Sequence, residues 1–167
     1  MAQEIIFGRV HKFGDNINTD AINPAQYMEY SMDVITAHVM EGADPDFAKK
    51  VRPGDIIVAG KNFGSGSSRE TSPVSIKQAG VPVVIAEFFA RIFYRNAINI
   101  GLKVLICPQA SEIQAGDELE VDPGTGRILD VTTGKEYHSD PLPPHILALV
   151  EDGGLIPHLQ KKLGIVP

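Results

Sequence analysis

The sequence predicts an α/β domain, and three observations carry that prediction. Apolar runs rich in β-branched residues recur at Asp55-Ile56-Ile57-Val58-Ala59-Gly60, Val81-Pro82-Val83-Val84-Ile85-Ala86 and Lys103-Val104-Leu105-Ile106-Cys107-Pro108, the composition of buried strands. Between them lie two segments with helix signals: Glu70 to Gly80, which closes on a glycine, and Phe88 to Leu102, which runs out into a turn. From Gly116 onward this rhythm gives way to short alternating segments punctuated by turn residues, the mark of a β-meander.

Taken in order, Glu4 to Val10 reads as an opening strand. Phe13 to Pro24 is dense in Gly, Asn, Asp and Pro and reads as a loop, with Ile17 and Ile22 pinning it to the core. Ser31 to Met40 has weak helical spacing, and Gly42-Ala43-Asp44-Pro45-Asp46-Phe47 is a turn. Asp117 to Asp122, Arg127 to Thr132 and Lys135 to His138 form the meander, with its acids expected on a solvated face. Pro143 to Gly154 has proline near its start and glycine at its end, as a helix should. No internal repeat or linker interrupts the chain, so one domain is expected over residues 1–167.

Composition narrows the function classes. With 43% hydrophobic and 22% charged residues, the chain can bury an ordinary core. A net charge of −6 with no Lys/Arg run argues against nucleic acid as a main partner. Neither a signal peptide nor a membrane-length apolar stretch is visible, so a cytoplasmic location is expected. The lone cysteine, Cys107, can form no disulfide within the chain, and cysteines of this chain alone cannot hold an iron–sulfur cluster. Its apolar neighbours make it a buried core residue.

The chemistry concentrates in Asn62-Phe63-Gly64-Ser65-Gly66-Ser67-Ser68-Arg69-Glu70, a glycine-rich loop between a strand and a helix. There the loop amides and the helix start give partial positive charge, and two hydroxyls and a guanidinium arrive together. An anion, most simply a carboxylate, suits such a place. A nucleotide P-loop would need its lysine after the glycines, but Lys61 stands before them. A dinucleotide fingerprint needs a small residue where Arg69 stands, and a Gly-x-Ser-x-Gly elbow does not occur.

These residues resemble the Gly-x-Gly-Ser-Ser-Arg-Glu signature of the swivelling domain of the aconitase superfamily. Three further stretches are similar to that family: Asp15 to Pro24, Phe89-Ala90-Arg91-Ile92 with Asn96 to Leu102, and Gly154 to Leu159. The whole chain resembles the free-standing small subunits of the 3-isopropylmalate dehydratase and homoaconitase branch. The resemblance implies a swivelling β/β/α architecture and a hydro-lyase of a 2-alkylmalate that moves a hydroxyl between adjacent carbons. It implies Ser67 as catalytic base, Ser68 and Arg69 as carboxylate clamps with Gly66 beside them, and Thr19 and Asp20 as site residues. Turn chemistry explains Asp20 equally well. Arg91 and Arg95 read best as helix-surface charges.

The resemblance also places a substrate-specificity loop at Tyr27-Met28-Glu29-Tyr30. Relatives acting on tricarboxylic acids carry an arginine there, whereas no arginine occurs here between Arg9 and Arg52. A second carboxylate at that end would lack its bidentate partner and would meet Glu29, which favours an alkyl-substituted malate. Related alternatives are a 2,3-dimethylmalate dehydratase and a homoaconitase. The implied cofactor is a [4Fe–4S] cluster on a separate large subunit, which makes that subunit and a dicarboxylate the expected partners. No metal site is expected on this chain, and self-association is left open.

Overall fold

The computed structural model describes residues 4–67 and 69–165. Its centre is a seven-stranded mixed sheet in the order β4-β3-β2-β1-β5-β6-β7. The strands are β1 (Ile6–Lys12), β2 (Ile56–Ala59), β3 (Val83–Ala86), β4 (Lys103–Ile106), β5 (Glu118–Asp122), β6 (Arg127–Asp130) and β7 (Glu136–His138). β1 through β4 pair in parallel, and β1, β5, β6 and β7 pair antiparallel. β1 therefore belongs to both halves.

The two halves differ as their patterns require. Every residue of β2 and β3 is buried, as expected of parallel strands covered on both faces. β5 and β6 alternate between buried and more exposed positions, as antiparallel strands with one wet face do. Among the described residues there are seven α-helical segments: α1 (Thr19–Ile22), α2 (Met32–Ala37), α3 (Phe47–Lys50), α4 (Thr71–Gln78), α5 (Arg91–Asn99), α6 (Pro144–Glu151) and α7 (Leu155–Lys162). α4 connects β2 to β3, and α5 connects β3 to β4. α4 packs against α2 and α5, and α5 packs against α6 and α7.

Three expectations need correction. The Phe13–Pro24 stretch is not all loop: Thr19–Ile22 forms one helical turn, capped by the Asn18 side chain, which accepts from the Ala21 N–H at 2.8 Å. The helix predicted from Phe88 begins only at Arg91. Phe88–Ala90 instead runs alongside Phe63: the Phe63 N–H donates to the Phe88 carbonyl at 3.2 Å, and the Ala90 N–H donates to the Phe63 carbonyl at 2.9 Å. Stacked and edge-on contacts among Phe63, Phe89 and Phe93, with centroids 5.2–6.1 Å apart, hold that pairing in the core.

The third correction concerns the acids of the meander. Asp130 is 1% exposed rather than solvated. One of its carboxylate oxygens accepts from the Thr133 N–H at 3.2 Å, and the other has no hydrogen-bond partner among the described residues. Burial pushes the Asp130 carboxyl up from the ordinary carboxylate value, and the neighbouring Asp117 carboxyl pushes it further.

Candidate active site

The loops that leave the carboxyl ends of β1 and β2 meet in space. The Gly64 N–H donates to the Ile17 carbonyl at 2.7 Å, and the Thr19 N–H donates to the Ser65 carbonyl at 2.8 Å, so Asn18 and Ser65 pair like strand residues. The glycines make this approach possible. Gly64 has φ +85°, and a Cβ there would lie 2.3 Å from the Phe93 ring. Gly66 has φ +109°, with the Thr19 hydroxyl 3.1 Å from where a Cβ would stand. Ligands of open α/β sheets bind outside the carboxyl ends of the strands, where these loops converge.

Two consecutive residues of α1 grip the glycine-rich loop. Thr19 Oγ1 lies 3.1 Å from Ser67 Oγ, and Asp20 Oδ1 lies 2.6 Å from Arg69 Nη1. Thr19 is buried, whereas the Ser67 side is open to solvent. Arg69 Nη1 also donates to the Asn23 carbonyl at 2.9 Å. Its remaining N–H groups have no partner among the described residues, which leaves one edge of the guanidinium for an incoming carboxylate. The amides of Gly66 and Ser67 likewise donate to no acceptor among the described residues. α4 begins at Thr71, so the positive end of its dipole lies at this loop.

Of the residues singled out from sequence, Thr19, Asp20, Gly66, Ser67 and Arg69 come together. Ser68 lies outside the described residues. Arg91 and Arg95 are exposed on α5, in keeping with surface charges. In the specificity loop, Tyr27 stacks on His38 with centroids 3.7 Å apart, so this histidine braces the loop. Met28 Sδ sits 3.9 Å from Thr71 Oγ1 at the start of α4. Glu29 and Tyr30 are exposed. Met28 is thus the loop residue placed against the element that continues the site.

Asn23 is the residue that sequence reasoning overlooked. It is 1% exposed; its amide donates to Ser75 Oγ at 2.8 Å, inside α4, while its carbonyl takes Arg69. It thereby ties the arginine to the helix. Standing before Pro24, Asn23 reads as plain turn chemistry, and only its burial reveals the role.

Cys107 is fully buried, and burial pushes its thiol up, so it is a poor nucleophile and metal ligand. Among the described residues, no group of three or more His, Cys, Asp or Glu side chains is placed to hold a metal ion. Nor is any described helix long and apolar enough to cross a membrane.

Comparison with known proteins finds relatives that span nearly the whole chain. The aconitase C-terminal domain family matches residues 3–110. The isopropylmalate/citramalate isomerase small subunit of Methanocaldococcus jannaschii is 55% identical over 96% of this chain and 97% of its own length. The 3-isopropylmalate dehydratase small subunit of Thermodesulfovibrio yellowstonii is 50% identical over 96% of each chain. The methanogen homoaconitase small subunit of Methanothermobacter thermautotrophicus is 53% identical, covering 95% of this chain and 93% of its own. A crystal structure of 3-isopropylmalate dehydratase from M. jannaschii superposes with a TM-score of 0.91 at 43% identity, covering 96% of both chains. The family match over residues 3–110, the relatives spanning nearly the whole chain and the shared fold together show that the chain belongs to the aconitase C-terminal domain family.

Proposed function

We propose that this chain is the small subunit of a hydro-lyase of the 3-isopropylmalate dehydratase type, interconverting 2- and 3-isopropylmalate by dehydration and rehydration in leucine biosynthesis. The observation that carries the reading is the double grip of Thr19 on Ser67 and Asp20 on Arg69 at the carboxyl ends of β1 and β2. Relatives covering nearly the whole chain bear the name of that enzyme.

Two difficulties define the reaction: the proton removed lies next to a carboxylate and is weakly acidic, and hydroxide is a poor leaving group. Ser67 is assigned the first. As an alkoxide it accepts the carbon-bound proton while the neighbouring C–O bond breaks, and it returns the proton when water adds back in the opposite sense. The amides of Gly66 and Ser67, the start of α4 and the Arg69 charge favour that alkoxide. Thr19 fixes the direction of Ser67 Oγ. Arg69 and Ser68 hold a substrate carboxylate, with Arg69 held in place by Asp20 and Asn23. A [4Fe–4S] cluster would be held by a separate large subunit rather than by residues of this chain, and it would supply the Lewis acidity that hydroxide departure needs. Met28 faces the alkyl end of the substrate.

A second reading follows from two relatives. One is named for citramalate as well as isopropylmalate, and another is named a homoaconitase. A smaller alkyl group is compatible with Met28 and exposed Glu29 at this loop. A third carboxylate would find no arginine anywhere from residue 10 to residue 51.

Co-expression with a cysteine-bearing large subunit, followed by anaerobic assay of a substrate panel, tests the proposal. Isopropylmalate is expected to turn over fastest, and the chain by itself to be inactive. Turnover by the isolated chain, or a preference for a tricarboxylic acid, would overturn it.

A further inference from the structure

A second concave site lies between the later half of β1, α3 and the Ala115–Gly116 turn. It is a cleft of ≈570 Å³, lined among others by Arg9, His11, Lys49, Lys50 and Arg52 and by one carboxylate, Asp44. None of its lining residues belongs to the Thr19–Ser67–Arg69 site. Its cationic character is unexpected in a chain of net charge −6.

The acids nearby are mostly engaged. Asp44 pairs with Lys50 at 2.8 Å. Asp55 accepts from His11 Nε2 at 2.7 Å and from the Arg52 N–H at 2.9 Å. Glu118 stands opposite Arg9 in the β1–β5 register, but no ion pair joins them among the described residues. Lys12 turns its ammonium to the carbonyls of Ala110, Ser111 and Ile113. Arg9, Lys49 and Arg52 are therefore left without a carboxylate within ion-pair distance among the described residues. Val10 and Phe13 add apolar lining beside these cations.

We infer that this cleft binds a small phosphate-bearing polyanion. Its volume falls within the range of about 300–1,000 Å³ typical of small-molecule sites. Two guanidinium forks and an ammonium arranged around one hollow suit several phosphoryl oxygens at once. A compact hollow, rather than a basic stripe along a face, does not suit a nucleic-acid strand.

Pyrophosphate titrated at low salt into the full-length chain, followed by backbone amide shifts, tests the inference independently of the hydro-lyase reading. Saturable shifts at His11, Lys50, Arg52 and Gly116 are expected, with a Kd below about 1 mM. R9Q/K49Q/R52Q should weaken binding at least ~10-fold. The single reversal K49E should weaken it too and serves if the triple variant folds poorly. R69Q should leave it unchanged. Tricarballylate, run in parallel, should bind more weakly than pyrophosphate; equal affinity would overturn the phosphate assignment. Shifts confined to Thr19 and Ser67, no saturation by about 10 mM, or full affinity in both cleft variants would overturn the site.

Discussion

Thr19 Oγ1 stands 3.1 Å from Ser67 Oγ, and this bond joins a buried hydroxyl to an open one. The buried partner is fixed by its own backbone, since the Thr19 N–H is held by the Ser65 carbonyl at 2.8 Å. A base that must meet a carbon-bound proton at one position gains from such an anchor, because orientation determines how often the reacting atoms align. Ser67→Ala is expected to assemble with a large subunit and lose turnover by ~10²–10⁴-fold. Retained activity in Ser67→Ala would remove Ser67 from the mechanism.

Thr19→Val keeps the shape and deletes the hydroxyl. It should lower kcat by about tenfold, the equivalent of one modest hydrogen bond, with little change in KM. Thr19→Ser should restore most of the rate. If Val and Ser variants behave alike in steady-state assays, the hydroxyl is not what positions Ser67.

Arg69 is shared between Asp20 and the Asn23 carbonyl, and both contacts fall on Nη1. Lysine cannot present a planar fork, so Arg69→Lys should raise KM for the dicarboxylate by roughly 10–100-fold. The Asp20 side chain is exposed, so Asp20→Asn should change the melting temperature little, because a surface ion pair is worth under about 1 kcal/mol. Its effect should appear in KM instead, through a less ordered Arg69. A large melting shift with unchanged KM would make the pair purely structural.

Met28 is the specificity-loop residue set against α4, with its sulfur 3.9 Å from Thr71 Oγ1. Met28→Arg should move preference toward a substrate with a carboxylate in place of the alkyl group, by the ratio of kcat/KM values. Unchanged selectivity would show that another part of the assembly reads that end of the substrate.

Asp130 gives the chain a pH-dependent stability of definite sign. Burial, with Asp117 beside it, raises its carboxyl above the ordinary value, so the folded chain keeps a proton that the unfolded chain releases. Stability therefore falls as pH rises from the unfolded carboxylate value through the raised folded one. Asp130→Asn retains an acceptor for the Thr133 N–H, which now lies 3.2 Å from the carboxylate. The variant should melt a few degrees higher than the parent at neutral pH, and the gain should disappear below about pH 4. Thermal scans at both pH values check this, and a gain independent of pH would exclude the carboxyl as its source.

Sequence by itself determined the strand–loop–helix unit around Gly64-Ser65-Gly66-Ser67, because β-branched runs, glycines and helix ends are local signals that each segment carries alone. It likewise determined the β-meander, whose alternation follows from a two-residue repeat. Only the tertiary structure decided that α5 starts at Arg91, since Phe88–Ala90 gives up helix to pair with Phe63, a residue far away in the chain. The same holds for Asn23 and Asp130, which look like turn or surface residues in isolation. Their burial depends on which distant elements cover them, and no pattern within their own segments records it.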